Sequence, residues 1–226
     1  MTGHARGMKA PLLALLFATA GAAAPPARFT APQQPWASPD GQVRLLRPAT
    51  AQPTFSQGGV GTLTSQGWRL IWDGQPDVAG RMAVRLALPV VPTRGPGQMT
   101  EYLQVGFSPS PQARHSCLSF GLKGGSGGRL PDRVINGVRF TVWGNGDAGM
   151  SQNIAATDYR AVVGGRCYAV ERFSYGVTAA DRDPALTLAQ ARGAAMLDAA
   201  LASLHLRPGP PLAPPATHRP AGTVAR

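Results

Sequence analysis

The run RMAVRLAL, residues 81–88, decides the fold: Met82, Val84, Leu86 and Leu88 share one parity, while Arg81 and Arg85 share the other with small Ala83 and Ala87. Such period-two alternation predicts a strand with one buried and one wetter face. Pro89, Pro92 and Pro96 then end it, because proline cannot donate to a strand ladder. The same pattern recurs at Tyr102–Phe107, where Leu103, Val105 and Phe107 lie together. At 117–122 Leu118, Phe120 and Leu122 share a side, which sets Cys117 and Ser119 on the opposite face of a third strand.

Further along, Val134-Ile135 and Val138–Trp143 flank Asn136-Gly137, and Tyr159–Val163 and Cys167–Tyr175 flank Gly164-Gly165. Both arrangements read as hairpins, since these dipeptides tolerate the positive φ angles of tight turns. Between them the glycine-rich segment 144–152 reads as a surface loop. Towards the N-terminus, 58–63 and 67–72 are strand candidates ahead of the Asp73-Gly74 turn. The proline-rich segment before residue 54 reads as an extended lead-in with one short strand at 42–46.

Asp183-Pro184 opens a helix, with Asp183 suited to the N-cap and Pro184 to the first helical position. Met196, Leu197, Ala200, Leu201 and Leu204 follow at helical spacing and form an apolar stripe that must dock on something. Gly193 lowers helix propensity but allows close approach to a sheet. Strands followed by one terminal helix predict an α+β domain. We expect a mostly antiparallel sheet of about six to eight strands, with the C-terminal helix packed on it. The predicted domain spans 54–206, between a lead-in at 23–53 and a proline-rich tail at 207–226.

Residues 1–22 carry Arg6, Lys9 and the apolar run LLALLFATA, then the small residues of Gly21-Ala22-Ala23-Ala24. A basic segment, a short apolar segment and a small-residue cleavage site make up a secretory signal peptide. Its apolar run falls short of the roughly 20 residues a bilayer span needs. The expected destination is the periplasm or the exterior, with no membrane span after cleavage. The formal charge of +11 falls to +9 when Arg6 and Lys9 leave with the signal peptide. Codon bias and solubility explain an arginine-rich chain; attraction to an anionic envelope component is the functional alternative. Export, scattered arginines and the lack of a recognition motif argue against nucleic acid.

Cys117 and Cys167 are the only cysteines. In an oxidising compartment two cysteines pair, and the expectation is a bridge clamping two strands. The spacing lacks a zinc pattern.

Asn136-Gly137-Val138-Arg139-Phe140, Gly146-Asp147-Ala148-Gly149-Met150, Tyr159-Arg160 and Gly165-Arg166-Cys167-Tyr168-Ala169-Val170-Glu171 resemble a group of exported bacterial proteins without an assigned activity. That group has an NGvxF strand, a small-residue loop and a YR…gxCYxxE hairpin, and the likeness covers roughly residues 99–175. Ser151 stands after Met150 where the group's pattern leads us to expect His. The resemblance implies an envelope protein with a paired cysteine and transfers no catalytic residue.

Gly124-Gly125-Ser126-Gly127-Gly128 matches the G-x-S-x-G elbow, which needs a strand before it and a helix after it; the following Arg129-Leu130-Pro131 suits a helix poorly. His115 sits beside Cys117 and His205 closes the terminal helix, so neither is paired with Ser126. Asn145 and Asp147 resemble part of a calcium loop but lack its final Glu. Glu171 reads as an exposed or cross-strand ion-pair residue. No phosphate loop or dinucleotide fingerprint occurs, and no cofactor is expected. Trp68 and Trp72 share parity and are a possible ligand face, with core packing as the alternative. The leading expectation is a non-catalytic exported domain that binds the envelope or another envelope protein. The alternatives are a small hydrolase built on Ser126 and an accessory protein working through its proline-rich tail. Oligomeric state is left open.

Overall fold

The computed structural model describes residues 32–54, 80–88, 91–92, 98–119, 127–149, 152–177 and 184–208. Residues 1–22, read as a signal peptide, the strand candidates at 58–63 and 67–72, the expected Asp183 cap and the tail beyond Pro208 lie outside these residues.

The elements run β1 (Gln33–Ala37), β2 (Val43–Pro48), β3 (Gln52–Thr54), β4 (Arg81–Ala87), β5 (Val91–Pro92), β6 (Gln98–Ser108), α1 (Pro111–Ser116), β7 (Gly128–Ile135), β8 (Val138–Gly149), β9 (Gln152–Val163), β10 (Arg166–Val177), α2 (Pro184–Ala202) and β11 (His205–Leu206). An eight-stranded antiparallel sheet has the order β3-β4-β6-β10-β9-β8-β7, with β5 also pairing β6; a second sheet has the order β1-β2-β11. The architecture is α+β, with α2 as the C-terminal helix on the large sheet.

Three hairpins build half of the large sheet. Asn136 and Gly137 both have positive φ, as do Gly164 and Gly165, the geometry whose twist matches that of paired strands. The expected loop at 144–152 is instead strand: β8 continues to Gly149, β9 starts at Gln152, and Gly149 pairs with Gln152. Its glycines suppress strand propensity locally, but pairing along the whole of β9 overrides that preference.

On β4, Val84 and Leu86 are fully buried beneath α2, in a cluster with Leu103, Val105, Leu197 and Leu201. A bulge between Met82 and Val84 shifts the register, so Met82 pairs with Gly106 while Val84 pairs with Val105. Met82 therefore leaves the face predicted for it, because one extra residue inverts the alternation. Nor is the opposite face wet, since Arg85 is buried as well.

Helix α2 docks as its stripe predicts, through Leu197, Ala200 and Leu201, with Leu204 buried just past its end. A Cβ on Gly193 would lie 2.8 Å from Glu101 Oε2 and 2.9 Å from Leu88 Cδ1, so glycine permits the close approach. The helix end is held by the first hairpin turn: Asn136 Nδ2 donates to the carbonyls of Ala202 and Leu204, at 3.0 and 2.9 Å. The Ala202 carbonyl is among those a helix C-terminus leaves without intrahelical partners. His205 follows the helix as part of β11 rather than closing it.

The proline-rich segment before residue 54 contributes β1, β2 and β3, and its Val43, Leu45 and Ala51 belong to the core. Packing thus extends well upstream of the boundary that composition suggested. Pro53 lies on the edge strand β3, and Pro131 sits on edge strand β7 beside a second bulge. Proline and bulges at edges discourage pairing with another chain.

Cys117 and Cys167 are joined in a disulfide, with their Cα atoms 5.6 Å apart. Cys117 is the C-cap residue of α1 and does not begin a strand. Pro111 starts that helix at a position where its missing N–H costs nothing. The bridge therefore pins a short helix to β10, through a small cluster of Ala113, Cys117, Cys167 and Ala169. Among the described residues no helix is long and apolar enough to cross a membrane.

Candidate functional site

Of the sequence candidates, Trp68, Trp72 and Ser126 lie outside the described residues. His115 is exposed on α1. The chemistry that the structure assembles lies elsewhere, in a row of polar side chains across the middle of the large sheet.

Directly paired residues of an antiparallel sheet point to the same face. Arg85 pairs with Gln104, Gln104 with Glu171, Glu171 with Asp158, Asp158 with Trp143, and Trp143 with Arg129. The row therefore crosses six strands on the face opposite α2. Gln104, Glu171 and Asp158 are 0% exposed. One rung away, Arg160 pairs with Thr141 and Ala169, and is buried too. On the other side Tyr102 pairs with Phe173, their rings stacked 4.5 Å apart.

The side chains engage one another along and between rungs. Tyr102 donates its hydroxyl to Glu171 Oε2 at 2.7 Å. Arg85 donates from Nε to Gln104 Oε1 at 2.8 Å, and its guanidinium lies 4.7 Å from the centre of the Tyr102 ring. At the far end Arg129 stands over Trp143, 5.6 Å from the ring centre. Burial, then the neighbouring Glu171 charge and hydrogen bond, push the Tyr102 hydroxyl far above its ordinary pKa. Tyr102 thus acts as a donor throughout the physiological range.

Glu171, expected at the surface or in an ion pair, is a buried acceptor. Asp158 stands beside it, and two adjacent buried carboxylates repel unless cations and donors offset them. Arg85 and Arg160 are the cations buried on the same face. A row of this kind specifies register. Slipping one strand by a single residue would send its polar side chain to the apolar α2 face, where burial without partners costs several kcal/mol. None of the central side chains reaches solvent, so the row as folded is an internal network and not a substrate surface.

A second ionic group ties the other face to α2. Arg172 on β10 bonds Glu101 Oε2 at 3.2 Å and Asp198 at 3.3 Å. Burial raises the Glu101 pKa, and the Arg172 charge offsets that only in part. Asp40 behaves in the opposite way. Burial works upward there, but the Ser38 hydroxyl, the Gln42 N–H and Arg81 outweigh it and hold its pKa below the ordinary value.

Among the described residues the buried charges cancel: Arg85, Arg160 and Arg166 stand against Glu101, Asp158 and Glu171. The exposed ones do not, with eight arginines against four aspartates. Three of those arginines, Arg129, Arg133 and Arg139, lie on the β7–β8 edge, where Asp132 pairs with Arg129 and, at 3.8 Å, with Arg139. Leu130 and Val134 are exposed beside them. No group of three or more His, Cys, Asp or Glu among the described residues is placed to hold a metal ion.

Compared with known proteins, the chain matches no family model, and no curated protein shows significant similarity to it.

Proposed function

We propose that the protein is an exported, non-catalytic binding domain that associates with an anionic component of the bacterial envelope. The observation carrying this reading is the partition of charge: the core is neutral in sum, and the described surface has twice as many arginines as aspartates. A positive surface of that kind attracts anionic polymers and headgroups over a Debye length. The disulfide suits an oxidising compartment, and the signal-peptide reading of residues 1–22 supports the same destination.

The test is retention on isolated envelopes across a salt series. Binding should weaken steeply between low and physiological ionic strength. Replacing Arg129, Arg133 and Arg139 together by Gln should weaken it further at low salt. Retention that responds to neither salt nor charge removal would sink the reading.

A further inference from the structure

The small sheet has a face that the core does not use. Pairing sets Pro35 opposite Leu46 and Ala37 opposite Arg44, and on the other side of β2 it sets His205 opposite Arg44. These side chains share the outward face, while Val43, Leu45 and Leu206 turn into the core. Proline and alanine are short, and a groove of about 520 Å³ opens there, lined by Pro35, Ala37 and Leu46 of that face with Arg44 and His205, and reaching Leu45 and the half-buried Trp36, which pair with each other and pack on the core. Its backbone is held firm, since Leu46 N–H donates to Ser203 Oγ at 2.7 Å.

Two features indicate what fits. Leu46 is 39% exposed although it lies in the groove wall, so apolar surface remains to be covered. Among the described residues, no acid pairs with Arg44: the ion pairs formed are Arg81–Asp40, Arg129–Asp132, Arg139–Asp132, Arg172–Glu101 and Arg172–Asp198. The groove thus combines an uncompensated guanidinium and a neighbouring imidazole with an apolar trough. An acyl chain joined to an anionic headgroup has the complementary pattern: the chain covers Pro35, Ala37 and Leu46 beside Trp36, and the headgroup meets Arg44. The volume lies within the usual range for small-molecule sites.

We infer that this groove is a docking site for an anionic phospholipid of a membrane surface. The inference rests on the proposed envelope association and names one place and one ligand class for it. Long-range attraction belongs to the whole arginine-rich surface; the groove adds a contact that salt does not screen, because acyl burial is not electrostatic.

The full chain, oxidised and freed of its signal peptide, is titrated with vesicles of phosphatidylcholine alone or with phosphatidylglycerol added. Trp36 emission is isolated by subtracting the spectrum of W36F. Binding to the anionic vesicles should shift Trp36 emission to the blue, and the shift should persist at a salt concentration that removes most bulk retention. R44Q should weaken binding about five-fold, the effect of one positive charge near an anionic surface. L46N, at an exposed position, should abolish the salt-resistant part while leaving low-salt retention in place. Glycerol phosphate alone should not shift Trp36; a shift with it would replace the lipid by a free anion and overturn the inference. If anionic vesicles are retained but Trp36 is silent and both variants bind as well as the parent, the groove is not the site and the broader envelope reading survives. If anionic vesicles and envelopes are not retained even at low salt, both fall.

Discussion

Replacing Gly193 by Ala sets two opposing effects against each other at one position. In an exposed helix interior the change would stabilise by about 1 kcal/mol, since glycine is the poorest helix former after proline. Here the new methyl would sit 2.8 Å from Glu101 Oε2 and 2.9 Å from Leu88 Cδ1, both inside van der Waals contact. Glu101 cannot swing aside freely, because Arg172 holds the same oxygen at 3.2 Å. Overpacking of a tight contact costs roughly 1–3 kcal/mol, and the displaced ion pair adds to it. The expected net result is a loss of about 1–2 kcal/mol, or a fall in Tm of about 3–6 °C for a domain of this size. Thermal unfolding followed by circular dichroism measures it under oxidising conditions. The decisive comparison is a background carrying Leu88→Ala and Glu101→Ala, which removes both obstructing side chains. There Gly193→Ala should become stabilising by about 1 kcal/mol. A stabilising effect in the parent chain, or the same effect in both backgrounds, would refute the close docking of α2 on β6.

Three other outcomes are expected. Replacing both cysteines by Ala should cost about 4 kcal/mol of stability by the loop-entropy argument for a separation of 50 residues, and a reducing agent should mimic it in the parent but not in the double variant; equal denaturation midpoints with and without reductant would contradict the bridge. Tyr102→Phe should cost about 1.5–3 kcal/mol in urea unfolding, the value of a hydrogen bond to a charged group, and a loss under 0.5 kcal/mol would show that Glu171 does not depend on that donor. Because Glu101 has a raised pKa in the fold, it binds a proton more readily folded than unfolded. Its contribution is therefore fully present below its ordinary value of 4.5 and is lost as pH rises through the folded value. Subtracting the stability–pH curve of Glu101→Gln should reveal that decline, and a difference that grows with rising pH would reverse the assignment.

How far the sequence could be read depended on whether local rules governed the residue in question. Alternation at 81–88 identified a strand, but nothing in RMAVRLAL marks Ala83 as the extra residue of a bulge. Both parities are small or apolar there, and the bulge is chosen by pairing with β6. Segment 144–152 misled for a similar reason: glycine-rich composition is a local signal, whereas β8 and β9 are fixed by the partners they share. Cys117 followed a helix because Pro111 can open one, yet Leu118, Phe120 and Leu122 supplied an equally regular strand pattern. Upstream, the short strand expected at 42–46 is β2, while prolines concealed β1 and β3, since edge positions accept residues that central strands reject.

The polar row, by contrast, was within reach of the sequence. A two-residue turn at Gly164-Gly165 pairs Val163 with Arg166, and counting outward one step at a time brings Asp158 opposite Glu171. Parity then places both acids on the face of Cys167 and Ala169, away from Tyr168 and Val170. Only the helix side of that hairpin is apolar enough to meet the α2 stripe, so the acids had to share the other face with Arg160. What the sequence could not supply was Gln104 and Arg85, because β10 meets β6 across more than fifty residues of chain and no turn sets their register. The network itself helps to set it. With Glu171 bonded to Tyr102 and Arg85 bonded to Gln104, a register shifted by one residue would bury charges against Leu103 and Val105. The residues most easily mistaken for an active site therefore have a sufficient physical role in selecting one strand alignment, while the features suited to an outside partner lie at the margins, on the β7–β8 edge and over the small sheet.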